Sequence, residues 1–321
     1  MAALAIAIAA FAMTLAAATP VETLVEVQGP TGVLKGTMLA PPGATTASVV
    51  LIIPGSGPTD RDGDSPLGVK ASSYRLLAEA LAGLGVTSVR IDKRGSFASA
   101  GAALDPQRMT MADYAADTHA WVADMRRRTG ARCVWLLGHS EGGLVALITA
   151  QTANDICGLV LVSAAGRRLS DVMREQFKAN PANAPILDQA LGAIDKLEAG
   201  QSVDVTGMHP AVAQVFRPAV QNYLIDEYRY DPPELVKTYR GPVLVLQGTT
   251  DLQVSLADAE RLASARPGVK LVELAGVNHM LKLAPADRTA NLATYADPSL
   301  PLAPGVADAI AAFVKAHPAA N

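Results

Sequence analysis

Cysteine is nearly absent: Cys133 and Cys157 are the only two in 321 residues. A zinc site built from several thiolates is therefore excluded. Both sit at the N-terminal ends of expected strands, so the pair reads either as one disulfide or as two buried thiols. Charge is sparse too. Only 18% of residues are charged, the net charge is −3, and no strong basic patch stands out. Nucleic acid is thus not an expected partner. There is no internal repeat and no long low-complexity tract. The acidic run Asp60-Arg61-Asp62-Gly63-Asp64 lacks what a calcium loop needs. Ser65 stands at the glycine position and Ala71 at the position of the final glutamate. The run reads as solvated loop, and no metal is expected.

What the chain has in quantity is apolar residues, half of the total, enough for one large α/β domain or two small ones. Residues 1–18 are almost wholly Ala, Leu, Ile, Met and Phe. They contain no Lys or Arg, and they are marginal in length for spanning a bilayer. Ala16-Ala17-Ala18 before Thr19-Pro20 fits a small-residue cleavage site. The expectation is a signal peptide over 1–18 and export to the periplasm or beyond, an oxidising compartment. After processing no stable membrane association is expected.

The rest alternates between strand and helix patterns. Val21 to Leu39 alternates around Gly29-Pro30 and reads as an antiparallel hairpin. Ser48 to Ile53 is a continuous apolar run of the kind a buried parallel strand carries. Thr87 to Ile91, Val134 to Leu137, Leu159 to Ser163, Pro242 to Gln247 and Val269 to Leu274 are further strands. Helices are expected over Tyr74–Leu84, Met111–Arg128 and Val306–Ala316. Between Arg167 and Arg240 no strand pattern occurs, and Val172–Phe177, Pro185–Leu197 and Pro210–Tyr223 look helical. The pattern implies a mostly parallel sheet wound by helices, with core segments 19–166 and 241–321 and an inserted helical cap over 167–240.

The sharpest motif is Gly138-His139-Ser140-Glu141-Gly142, placed between a strand run and a helix-prone run. In that context G-x-S-x-G means a nucleophile elbow, with a serine projecting at a helix N-terminus. A serine hydroxyl needs a base, and the base needs an orienting acid. Of five histidines, His279 follows the last clear strand in Gly276-Val277-Asn278-His279-Met280 and is the best base by position. His139 adjoins the serine and is expected to face away around the elbow. His119 reads as structural, and His209 and His317 lie in the inserted block and the tail. Asp251, on the loop after Val243–Gln247, is the candidate acid; the competing role is capping a helix from Ser255. The order Ser140, Asp251, His279 is that of the α/β-hydrolase fold. The oxyanion hole would use the backbone N–H groups of Glu141 and of Ser56, with Gly57 as the alternative.

The pieces PGSGPTDRDG, DKRG, GHSEGG, GTTDLQV and GVNHMLK resemble the α/β-hydrolases with a helical cap, of the esterase and serine-aminopeptidase-like group. They span most of the chain in family order. The resemblance implies the same nucleophile, acid and base: Ser140, Asp251 and His279. It departs at Pro54-Gly55, where many lipases and esterases carry His-Gly. The expected function is an exported serine hydrolase cleaving small carboxylic esters through an acyl-enzyme, without a cofactor, with Phe216 and Tyr223 lining the pocket. The alternative is a serine peptidase acting on short peptides. That would require a carboxylate for the substrate ammonium; Glu141, Asp226 and Glu227 are the only hints, and each reads as a solvated side chain. A binding protein on a dead hydrolase fold is a third reading, against which the intact triad argues.

Overall fold

The computed structural model describes residues 19–43, 48–103, 105 and 108–318. The expected signal peptide lies outside them. The chain runs β1 (Val21–Gly29), β2 (Gly32–Ala40), β3 (Val49–Ile53), α1 (Ser73–Gly83), β4 (Thr87–Ile91), α2 (Met111–Thr129), β5 (Val134–His139), α3 (Glu141–Ala150) and β6 (Ile156–Val162). Five helices then intervene: α4 (Leu169–Ala179), α5 (Leu187–Glu198), α6 (Pro210–Val215), α7 (Pro218–Glu227) and α8 (Pro232–Thr238). The sheet resumes with β7 (Val243–Gly248), α9 (Leu256–Ser264), β8 (Lys270–Leu274), α10 (Arg288–Ala293) and α11 (Val306–Ala316).

The eight strands form one sheet in the order β1-β2-β4-β3-β5-β6-β7-β8. The β1–β2 and β2–β4 pairs are antiparallel and all others parallel. The uninterrupted apolar runs follow from burial on both faces. Val49, Leu51 and Ile53 of β3 pack with Val134, Leu136, Leu159 and Leu161 beneath α2 and α3. Their neighbours Val50, Ile52, Trp135, Leu137, Val160 and Val162 face the opposite layer, with α1 and α11. Full burial of each such side chain contributes roughly 1.5–3 kcal/mol relative to exposure.

β5 and β6 are neighbours with a slipped register: Val134 pairs with Ile156 and Trp135 with Gly158, which leaves Cys157 over. Cys133 lies directly before β5, and the two cysteines are joined in a disulfide with Cα atoms 5.1 Å apart. Of the two sequence readings, bridge and free thiols, the bridge is the one the structure holds.

The inserted helices have a small core of their own, including Ile194, Leu197, Val212, Phe216, Leu224 and Tyr228. The third helical stretch expected there is two helices, α6 and α7. Pro218 has no N–H to continue α6 and instead begins α7 at its first turn. The Asp60–Asp64 run is not simply solvated loop. Asp60 Oδ1 accepts the N–H groups of Asp62 and Asp64, Arg61 pairs with the buried Asp92, and Asp62 pairs with Arg90.

Candidate active site

The elbow is set by close backbone packing. A Cβ at Gly142 would lie 2.3 Å from the carbonyl oxygen of Ile53, and one at Gly138 would lie 2.1 Å from that of Gly142. Only glycine fits at either place. Between them Ser140 is held at φ 54° and ψ −122°, a conformation L-residues rarely adopt. Its N–H donates to the carbonyl of Val162 at 2.9 Å, so the turn is fixed to the sheet.

His279 is reached from the other side of the sheet end. Its Nδ1 is 2.8 Å from Asp251 Oδ2. Asp251 Oδ1 accepts the N–H groups of Gln253 and Val254 at 2.8 and 3.0 Å, a side-chain turn that aims the other oxygen at the imidazole. Burial opposes ionisation of Asp251, but His279 and these hydrogen bonds outweigh it, and its pKa falls below the ordinary carboxylate value. With Asp251 ionised, Nδ1 carries the imidazole proton and Nε2 is left as acceptor. The cap of α9 is Ser255 with Asp258, so Asp251 is not that helix's capping residue. Asn278 holds the loop that carries His279: its Oδ1 accepts from the N–H groups of Met280 and Lys282.

His139 does not face away. It is buried, with its ring centroid 4.7 Å from that of His279. The Gly55 N–H donates to the Tyr74 hydroxyl oxygen (3.1 Å), and that hydroxyl donates to His139 Nδ1 (2.8 Å). His139 Nε2–H donates to the carbonyl of His279 (2.9 Å). Burial, then the neighbouring His279, depresses the His139 pKa to about 3, so the ring is neutral and this tautomer is the one that satisfies both partners. One chain of hydrogen bonds thus joins the loop after β3 to the loop after β8.

Lys93 fixes the same loop from below. Its Nζ donates to the Gly55 carbonyl at 2.6 Å and lies 3.4 Å from Glu141 Oε1. Burial opposes its charge, but Glu141 and the groups around it outweigh burial and raise its pKa. The peptide after Gly55 is trans, so a carbonyl drawn toward Lys93 directs the Ser56 N–H the opposite way. Tyr74, Lys93 and His139 were not picked out as functional from sequence; each acts on residues tens of positions away.

Two cavities meet at Ser140. One of about 220 Å³ is lined by Gly55, Ser56, Tyr74, His139, Ser140 and His279, among others. The other, about 440 Å³, lies under the inserted helices and shares Ser56, Gly57, Ser140 and Gln253 with the first. Its walls include Tyr223, Val220, Leu224, Val172, Met173 and Glu227. Of the two expected pocket residues, Tyr223 lines this cavity and Phe216 does not. Phe216 is fully buried in the core of the inserted helices, its ring stacked on Phe177 at 6.1 Å. Nor are two of the three carboxylates solvated. Glu227 is 2% exposed and Glu141 is enclosed beside Lys93, while the partly buried Asp226 accepts the Met111 N–H through Oδ2 at 2.8 Å. A wider, open depression beside α4, lined by Arg167, Arg174 and, from α9, Arg261 among others, includes none of the expected catalytic side chains.

A family model described as the alpha/beta hydrolase family matches residues 49–292. Esterase EstD of Thermotoga maritima is 26% identical over 254 residues, 77% of this chain but 58% of that protein's length. Est1E from Butyrivibrio proteoclasticus superposes with a TM-score of 0.56 at 16% identity, covering 92% of this chain and 98% of that one. Dienelactone hydrolase from Anabaena variabilis gives 0.55 at 17% identity, covering 94% and 100%. At these identities the two structural likenesses bear on the fold alone.

Proposed function

The chain belongs to the alpha/beta hydrolase family, and from that premise we propose that it is a serine esterase acting on small carboxylic esters. One observation carries the proposal: Ser140, on a strained elbow, lines one cavity with His279, whose Nδ1 is 2.8 Å from Asp251. The similarity to EstD supports the choice of ester over other hydrolase substrates. Est1E, whose fold this chain shares, has been solved with ferulic acid bound, which fits a small acyl substrate.

In this mechanism Ser140 Oγ attacks the ester carbonyl carbon while its proton passes to Nε2 of His279. Asp251 holds the imidazole by Nδ1 and stabilises the imidazolium. The carbonyl oxygen, now an oxyanion, is met by the N–H groups of Ser56 and Glu141. As the tetrahedral intermediate collapses, the bond to the alcohol oxygen breaks and Nε2 protonates the departing alkoxide. Water, deprotonated by Nε2, then attacks the acyl-enzyme, and the acid and Ser140 are released. The test is p-nitrophenyl acetate hydrolysis by purified protein, lost by roughly 10⁴-fold or more in Ser140→Ala. Turnover that survives that substitution would sink the proposal.

We also propose that the protein is exported. The apolar leader over 1–18 and the Cys133–Cys157 disulfide support this, since such bridges persist in oxidising compartments. Recovery of full-length chain from the cytoplasm only, in the native host, would contradict it.

A further inference from the structure

The two cavities at Ser140 are not equivalent, and the esterase reading assigns them. His279 must protonate the leaving oxygen, so the cavity that contains His279 takes the alcohol part of the ester. The cavity under the inserted helices lacks His279 and takes the acyl part. Most of its wall is apolar: Leu144, Val172, Met173, Val215, Val220 and Leu224. An acyl chain alone would need nothing else.

Yet a carboxyl is built into that wall. Glu227 on α7 lines the cavity and is 2% exposed, and its Oε2 has no hydrogen-bond partner among the described residues. Buried carboxyl oxygens are ordinarily paired, because leaving one unpaired costs free energy. The surrounding charges do not supply a partner. Glu141, also in the wall, faces the buried ammonium of Lys93, which is committed to the Gly55 carbonyl and to Glu141 itself. Arg94 is held by Asp117 and Asp113. Arg167 pairs with Asp258 and Glu175, and Arg217 donates to the Gln214 carbonyl at an exposed position. Asp226 is turned to the N–H of Met111, and the Tyr223 hydroxyl to Met111 Sδ. Two carboxyl groups therefore share one buried cation.

We infer that the cavity under the inserted helices accepts acyl groups that carry a protonated amine, and that Glu227 receives the ammonium. This rests on the esterase reading of Ser140. Burial and then Glu141 raise the Glu227 pKa well above its ordinary value, which favours the protonated carboxyl. A bound ammonium takes the place of that proton: Glu227 ionises, and the two carboxylates are matched by two cations. A hydroxyl would supply the hydrogen bond without the charge.

The experiment compares kcat/KM for ethyl esters of glycine, 4-aminobutanoate and 6-aminohexanoate with ethyl acetate, butanoate and hexanoate, and with ethyl 6-hydroxyhexanoate. Wild-type protein and Glu227→Gln are followed by acid release at constant pH. At one chain length the amino ester should exceed its alkyl counterpart by about tenfold or more, and Glu227→Gln should remove that preference, since a neutral amide makes no charge-assisted hydrogen bond to the ammonium. Equal amino and alkyl esters at every length, a preference that survives Glu227→Gln, or a hydroxy ester as good as the amino ester would each overturn the inference. Should Glu227→Gln not fold, inhibition of wild-type p-nitrophenyl acetate hydrolysis by hexylammonium and by hexanol decides: stronger inhibition by the ammonium supports the site, and equal inhibition overturns it. Failure to hydrolyse any ester, p-nitrophenyl acetate included, would instead sink the esterase reading itself.

Discussion

Lys93→Met is the perturbation that probes the proposed oxyanion loop most selectively. The ammonium of Lys93 holds the Gly55 carbonyl at 2.6 Å and lies 5.5 Å from the ring centroid of Tyr114. Methionine keeps most of the side-chain volume and removes the charge, so the main losses are electrostatic. The hydrogen bond to Gly55 contributes about 1.5–3 kcal/mol of stability, and the Glu141 carboxylate loses its buried partner, for a total loss of roughly 3–5 kcal/mol. That leaves a domain of ordinary stability still folded at 25 °C. The effect on turnover follows from geometry. Once the Gly55 carbonyl is released, its peptide plane can rotate, and the Ser56 N–H no longer points in one direction. Outright removal of an oxyanion donor costs roughly 10²–10³ in kcat, and a loosened one should cost about 10–100-fold. KM should change little, because the ground-state carbonyl makes weaker use of the hole than the tetrahedral intermediate does. The assay is steady-state hydrolysis of p-nitrophenyl acetate, with circular dichroism and a urea melt to establish folding. A folded Lys93→Met protein with wild-type kcat would refute the positioning argument.

Two further outcomes follow from buried groups. The His139 pKa is depressed from 6.5 to about 3, so as pH falls the unfolded chain takes up a proton that the folded chain refuses. The resulting loss of stability is absent above about pH 6.5 and grows to at most ~5 kcal/mol as pH falls toward about 3; urea midpoints should fall more steeply with acid in wild type than in His139→Gln, and equal slopes would contradict the neutral buried ring. The disulfide closes a loop with a sequence separation of 24, for which chain entropy gives ~3 kcal/mol; reductant should lower the melting temperature by several degrees and leave kcat near wild type, while an unchanged melt would show that the bridge contributes no stability.

The sheet was legible because its strands are buried on both faces, which demands unbroken apolar runs such as Val49–Ile53 and Val134–Leu137. The elbow was legible because close backbone contact at Gly138 and Gly142 leaves one residue type at each place. Asp251 and His279 could be proposed because both follow strand runs, where loops of such sheets gather. What sequence did not reveal depends on packing between distant segments. His139 and Tyr74 meet across 65 positions, and Lys93 reaches Gly55 across 38. No local pattern encodes either meeting. Phe216 failed as a pocket residue because apolar periodicity marks a side chain as buried without saying in which core; it turned into the core of the inserted helices. Glu227 failed in the opposite sense. A charged residue between polar neighbours reads as solvated, and only the packing of α7 over Ser140 encloses it.

The proposed roles of Ser140 as nucleophile and His279 as its activating base are tested by covalent labelling with a fluorophosphonate, followed by peptide mass mapping, on wild type, Ser140→Ala and His279→Ala. One labelled peptide is expected in wild type, modified at Ser140, none in Ser140→Ala, and labelling slowed by roughly 10³-fold or more in His279→Ala. Labelling of any other residue in wild type, or undiminished labelling of Ser140→Ala, would contradict these roles.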